Sequence, residues 1–332
     1  MLFSSQRLMF LVLLILGTLV ALSSTSWFTA WMGLELNLMS FIPLISSKQN
    51  RLPSEAALKY FLVQALGSAL IIFAAPLSLN FPIFFSSILI ALLLKLGAAP
   101  FHFWFPAIME GLNWTQAIVL MTIQKIAPMF LISHLAYSSY FFSILVTSAS
   151  LSAIIGSIGG LNQTSLRKIL AYSSINHMSW MLIAISISES SWLIYFSFYS
   201  IISTSIALLF NHYQSFYFSQ LLSQKTSMPL LGLVSSLSLL SLGGLPPFSG
   251  FLPKWILIES MTNSKLFLPL IILILSSLVT LYYYLRLAIS SLILLTTKPK
   301  SSLYSSPSSA FAPALIYTNL FLLFIPSFFT LF

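Results

Sequence analysis

The sequence predicts an all-α, polytopic membrane protein of about eleven transmembrane helices, and three observations carry that expectation. Of its 332 residues, 58% are hydrophobic and 6% charged, against about 45–50% and about 25% in soluble domains. Apolar runs long enough to cross a bilayer as helices follow one another almost from end to end. None alternates apolar and polar residues over about ten positions, as the strands of a membrane barrel would.

The runs fall at 8–22, 27–45, 56–75, 81–99, 115–137, 141–158, 169–188, 192–210, 228–262, 268–295 and 310–331, with Ser, Asn, Pro and charge clusters between them. At about 20 residues per crossing they consume most of the chain. No soluble catalytic domain of ordinary size is left over. Met1 to Gln6, followed by Arg7, lacks a small-residue cleavage pattern, so the first run reads as an anchor rather than a leader.

The run at 228–262 is too long for one straight span, because 35 residues at about 1.5 Å each reach about 50 Å across a core of about 30 Å. Read as one interrupted helix, it leaves Arg7, Lys48, Arg51, Arg167, Lys168, Lys225, Lys298 and Lys300 on the side of the N-terminus and only Lys265 opposite. The positive-inside rule favours that reading and puts the N-terminus inside. The interruption has a seat at Gly243-Gly244-Leu245-Pro246-Pro247, with Pro253 just beyond. A second seat lies at Lys95-Leu96-Gly97-Ala98-Ala99-Pro100, before the aromatic run Phe101 to Pro106.

Two broken helices, the fourth and the ninth, suggest a repeat. The 332 residues then form one integral membrane domain: a five-helix unit at 1–140, a second at 141–296, and a C-terminal helix within 297–332. An odd number of helices per unit inverts the second relative to the first, a plan found in many ion transporters.

Several chemistries are excluded or unsupported. Cysteine is absent, which removes disulfides, thiolate nucleophiles, cysteine-bound iron–sulfur clusters and Cys-rich zinc sites. The four His, at 102, 134, 177 and 212, have no i,i+3 or i,i+4 pairing, so no metal site is expected. Nucleotide-binding glycine motifs and a GxSxG nucleophile context are missing. The net charge of +9, from 14 Lys and Arg against 5 Glu, reads as membrane orientation rather than nucleic-acid binding.

The informative residues are ionisable groups inside apolar spans, each of which costs about 2.5–3.5 kcal/mol at a helix centre. Glu35 lies in the second span, Lys95 beside the break in the fourth, Lys125 in the fifth, His177 in the seventh, Lys254 beside the break in the ninth and Arg286 in the tenth. Lys95 and Lys125 are 30 positions apart, Lys254 and Arg286 32. Glu35 and His177 both occupy second helices of a unit.

A desolvated lysine holds its proton weakly, and a nearby carboxylate restores the hold. A Glu that shifts relative to such a lysine therefore switches a proton carrier, a role closed to arginine, which does not deprotonate in proteins. Pro100, Pro128 and Pro253 lie near the three lysines, where freed carbonyls and water can solvate an ammonium. The competing reading makes these lysines structural counter-charges between helices, and His177 a packed, hydrogen-bonded histidine.

His134 falls about 180° round the helix from Lys125 and is discounted as its partner. His102, Trp27, Trp31 and Trp192 read as interfacial anchors. Glu55 and Lys59 form an ordinary i,i+4 surface pair, and Arg286 is read as snorkelling. Together these residues describe an ion-conducting membrane subunit. A free-standing cation/proton antiporter and a non-pumping structural spacer remain as alternatives.

Seven segments, WFTAWMGLELN from Trp27, FIPL from Phe41, EAALKYF from Glu55, LKLGAAPFHFWF from Leu94, QKIAP from Gln124, RKILAYSSINHMSW from Arg167 and GGLPPFSGFLPKW from Gly243, resemble the antiporter-like membrane subunits of respiratory complex I. The resemblance spans nearly the whole chain, in a combination similar to invertebrate, arthropod-type members. It implies a multi-pass subunit of the mitochondrial inner membrane, N-terminus on the matrix side, in the proton-pumping arm of NADH:ubiquinone oxidoreductase. It implies other membrane-arm subunits and phospholipids as partners, no nucleic acid, and no cofactor in this chain. NAD, FMN, iron–sulfur clusters and ubiquinone would sit in partner subunits. By motif match Glu35 is the modulating carboxylate, Lys95 its lysine, Lys125 the central relay and Lys254 the lysine of the second half-channel. Ser179 departs from the glycine expected after His177-Met178.

Overall fold

The computed structural model describes residues 5–46, 50–78, 80–81, 83–136, 139–224, 229–246 and 248–293. Among them the chain is helical, and its one β element is an isolated antiparallel bridge between Ser165 and Tyr217. The run at 310–331 and residues Lys48, Lys225, Pro247, Lys298 and Lys300 lie outside the described residues. The chain divides into two compact units, Met1–Ser152 and Ala153–Phe332.

The first unit holds α1 (Ser5–Leu22), α2 (Trp27–Ile45), α3 (Arg51–Ser78), α4 (Phe84–Leu96), α5 (Trp104–Gly111), α6 (Trp114–Met121), α7 (Ile123–Leu135) and the start of α8 (Ser139–Gly159). The second holds the end of α8, then α9 (Leu166–Ile187), α10 (Glu189–Tyr213), α11 (Phe218–Gln224), α12 (Pro229–Gly243), α13 (Phe251–Asn263) and α14 (Phe267–Ile293).

Local chemistry sets the ends of these helices. Ser26 starts α2 with a capping box: its Oγ accepts the Thr29 amide while the Thr29 side chain accepts the Ser26 amide. Gln116 accepts the Asn113 amide at 2.9 Å and donates to Leu44 O at 2.6 Å, which ties the start of α6 to the end of α2. α1 and α2 touch backbone to backbone, since a Cβ on Gly33 would sit 2.5 Å from Ala21 N and 2.8 Å from Gly17 O.

Large apolar side chains cover the outward helix faces, while many polar groups are held inside. On α3, Tyr60, Gln64, Gly67 and Ser68 are buried, while Leu58, Leu62, Leu66 and Phe73 are 64%, 60%, 61% and 66% exposed. Water would reverse that arrangement; hydrocarbon permits it. Among the described residues seven helices are long and apolar enough to cross a membrane: Ser5–Leu22, Trp27–Ile45, Arg51–Ser78, Trp114–Leu135, Phe141–Gly159, Glu189–Tyr213 and Phe267–Ser290. Serine hydroxyls on these and neighbouring helices donate to the carbonyl three residues back, as at Ser40, Ser68, Ser148, Ser173, Ser205 and Ser238.

The run at 115–137 is one candidate span, Trp114–Leu135, with an interruption at Thr122, φ −116° and ψ −79°, that separates α6 from α7. Trp192, expected at an interface, is 2% exposed and packs beside Phe196. Burial against protein supplies its indole with the apolar surroundings an interface would have provided.

In the second unit α9 is the central helix, with every residue from Ser173 to Ile185 buried. Ser179, in place of the expected glycine, is fully buried and donates to Asn176 O. Its hydroxyl folds back on its own helix and the packing closes round it. Arg286 lies on α14. Its Nη1 and Nη2 donate to Leu161 O and Gln163 O, both at 3.0 Å, and so hold the turn between α8 and α9. Hydrogen bonds from a charged donor contribute about 1.5–3 kcal/mol each. Arg286→Leu is therefore expected to lower the melting temperature of the purified protein, and Arg286→Lys, which lacks the planar fork, to restore only part of the loss.

Candidate functional site

At the break between α4 and α5 three of the carbonyls freed at the end of α4 find partners. Gly97 adopts φ +71°, open to glycine at little strain. Its amide bonds Leu94 O at 3.1 Å and the Ala98 amide bonds Leu93 O at 3.1 Å, the two bonds of a Schellman stop. Trp104 Nε1 donates to Leu94 O at 3.0 Å, and Gln64 Nε2 on α3 donates to Lys95 O at 3.1 Å. Lys95 thus ends a helix whose last carbonyls are held by side chains from outside it. Its own side chain is 6% exposed.

Lys125 lies in the first turn of α7, directly after the interruption at Thr122, where its amide bonds Thr122 O at 3.1 Å. Pro128 in the next turn has no amide to donate to the Gln124 carbonyl. Lys125 is 2% exposed and its Nζ lies 5.1 Å from the centre of the Phe105 ring, within cation–π range.

Lys95 and Lys125 line one cavity of the first unit, together with Asn37, Tyr60, Gln64, Trp104, Phe105 and Gln124. About 20 Å³ of it is open to the centre of a water molecule, above the roughly 10–15 Å³ that one water needs. Its wall carries a directed chain: Tyr60 Oη donates to Gln124 Oε1 at 3.1 Å, and Gln124 Nε2 donates to Asn37 Oδ1 at 2.9 Å. These neutral polar residues were not singled out in the sequence. The signal was there, because an amide in mid-span needs a partner as much as a charge does.

Glu35 lies on α2 between the cavity-lining Leu34 and Asn37 but does not itself line the cavity. Lys59 and Glu55, exposed on both sides, form an ion pair at 3.9 Å. Glu35 Oε2 is buried without a hydrogen-bond partner among the described residues. At about 100° per residue, the turn that aims Leu34 and Asn37 inward carries Glu35 to the side.

The second unit has its own break, between α12 and α13. Gly244 turns at φ +76°. Lys254, 6% exposed, donates from Nζ to Gly243 O at 2.8 Å and lies 6.0 Å from the Trp180 ring centre. An ammonium on the last carbonyl of α12 meets the negative end of that helix. His177, one turn before Trp180 on α9, places Nδ1 2.9 Å from Tyr195 Oη and its ring 5.2 Å from that of Tyr199. It lines a small cavity with Ser241, Gly250 and Pro253, which brings it to the same break. His134 is exposed and stacks edge-on to Phe130, away from Lys125. Among the described residues no cluster of His, Cys, Asp or Glu could hold a metal.

Buried lysines beside broken helices, in bundles with apolar outward faces, define a polytopic membrane protein. The family model described as NADH:quinone oxidoreductase/Mrp antiporter, TM, matches residues 24–82 and 75–280, and the chain belongs to that family. It is similar to NADH-ubiquinone oxidoreductase chain 2 of Anopheles gambiae, 51% identical over 291 residues, covering 85% of this chain and 84% of that protein. The corresponding chain of Aedes aegypti is 47% identical over 311 residues, covering 90% of each. Among solved structures, a chain of respiratory complex I from Thermus thermophilus is 24% identical with a TM-score of 0.82, covering 96% of this chain and 77% of that one. A chain of the archaeal membrane-bound sulfane sulfur reductase is 19% identical with a TM-score of 0.85, covering 97% and 73%. At those identities the likeness is one of fold.

Gln64→Leu keeps the bulk on α3 and removes the donor to Lys95 O, an unsatisfied buried carbonyl worth about 1–3 kcal/mol. The expected outcome is a lower thermal midpoint, read by differential scanning on the detergent-solubilised protein.

Proposed function

We propose that this chain is an antiporter-like, proton-translocating subunit of the membrane arm of NADH:ubiquinone oxidoreductase, in the mitochondrial inner membrane. The observation that carries the reading is the single polar cavity shared by Lys95 and Lys125. Quinone reduction elsewhere in the complex alters the electrostatic field at Glu35. The pull of Glu35 on Lys95 weakens, and Lys95 releases its proton through cavity water to Lys125. Asn37 and Gln124 orient that water without taking the proton, since neutral amides do not titrate, and Tyr60 holds Gln124 in place through its hydroxyl. The change of charge then drives release at Lys254, whose ammonium lets go of the Gly243 carbonyl when it loses its proton, with His177 as a titratable group at the same break.

In this reading the chain performs no redox chemistry, and NAD, FMN, iron–sulfur clusters and ubiquinone belong to partner subunits. Other membrane-arm subunits and phospholipids surround it. About eleven spans, two inverted five-helix units with the boundaries 1–140 and 141–296, and an N-terminus on the matrix side complete the proposal. The lysine-rich side of the loops supports that orientation.

Lys125→Ala is expected to suppress proton pumping by the intact, reconstituted complex while leaving its assembly normal, measured as acidification of the vesicle lumen during NADH oxidation. Full pumping would remove Lys125 from the path. Lys95→Arg should fail as well in the same assay, because a fixed charge delivers no proton.

A further inference from the structure

Gly67, one turn beyond Gln64 on α3, is buried against the stem of Lys95. A Cβ added there would lie 2.9 Å from Lys95 Cγ, 3.2 Å from Lys95 Cε and 3.4 Å from Ala91 O. The first two contacts are tighter than a methyl group tolerates, and both are with the lysine itself. α3 therefore grips Lys95 twice: Gln64 holds its carbonyl, and the missing side chain at Gly67 leaves the slot in which its methylenes lie. The second unit repeats the device with different parts. A Cβ on Gly244 would lie 2.9 Å from both Cδ and Nζ of Lys254 and 3.1 Å from Cε. Gly17 instead meets backbone, with Asn37 N at 2.9 Å, and Gly159 and Gly160 meet the rings of Tyr172 and Tyr283, so the slots at Gly67 and Gly244 are the ones filled by a lysine stem.

We propose that Gly67 is a positioning residue for proton transfer, which fixes where the Lys95 ammonium can reach by leaving room for its stem. The proposal rests on the reading of Lys95 as a proton carrier. A lysine has a long flexible stem, and burying it in one rotamer forfeits side-chain entropy, so a groove that selects one path decides which acceptor the amine meets. Gly244 sits at positive φ, where any side chain strains the backbone, so Gly67 is the clean test site.

The experiment uses the intact complex in vesicles, with Gly67→Ala, Lys95→Ala and the double variant. Gly67→Ala should lower proton flux per assembled complex, by up to about 100-fold if the amine moves by about 1 Å, with KM for NADH and for ubiquinone unchanged. In the double variant it should add nothing to the loss from Lys95→Ala. If Gly67→Ala alone fails to assemble, Lys95→Ala should rescue assembly by vacating the slot. Unchanged flux in Gly67→Ala, a loss that adds in full to that of Lys95→Ala, or an assembly defect that Lys95→Ala does not rescue would each overturn the proposal. Full flux in Lys95→Ala would instead overturn the reading of Lys95 as a carrier.

Discussion

Non-helical backbone inside hydrocarbon is tolerated only if each freed amide and carbonyl finds a partner, and the structure is organised round that requirement. At the first break the carbonyls of Leu93, Leu94 and Lys95 are taken up by the turn at Gly97, by Trp104 and by Gln64. At the second, the ammonium of Lys254 takes the Gly243 carbonyl directly. The difference matters chemically. Lys95 belongs to the helix that ends, and its backbone is anchored while its amine faces a cavity. Lys254 follows the break, and its amine is itself the anchor, so its charge and the local backbone are bound together.

Much of this was legible in the sequence, because long apolar runs and isolated charges are loud signals. The seats of the breaks at Gly97–Pro100 and Gly243–Pro247 followed from Gly and Pro alone. What could not be read was anything that depends on which way a helix faces. The interruption at Thr122 has no Gly or Pro of its own; Pro128, six residues on, was the available hint, and it was read as solvation for Lys125 rather than as a break. Which way Glu35 faces relative to Lys95 was not a matter of spacing within one helix. It depended on how α2 is rotated about its axis, which only tertiary packing fixes.

The neutral residues tell the same story from the other side. Asn37, Tyr60, Gln64 and Gln124 carry no charge, so a search for ionisable groups passes over them, although they form most of the polar wall between the two lysines. Arg286, by contrast, was visible, but its two partners were not. Its guanidinium turned inward to two carbonyls because a fork with two free donors matches a turn that exposes two acceptors.

The serines that fold back on their own helices have one more consequence. A hydroxyl whose hydrogen already points at the carbonyl one turn earlier presents the lipid with little more than a methylene and a shielded oxygen. Hydropathy tables score each such residue as polar, so they understate how readily these segments partition into the bilayer. The true polar load of the interior rests on a handful of amides, phenols and amines, and only there can water find reason to stay.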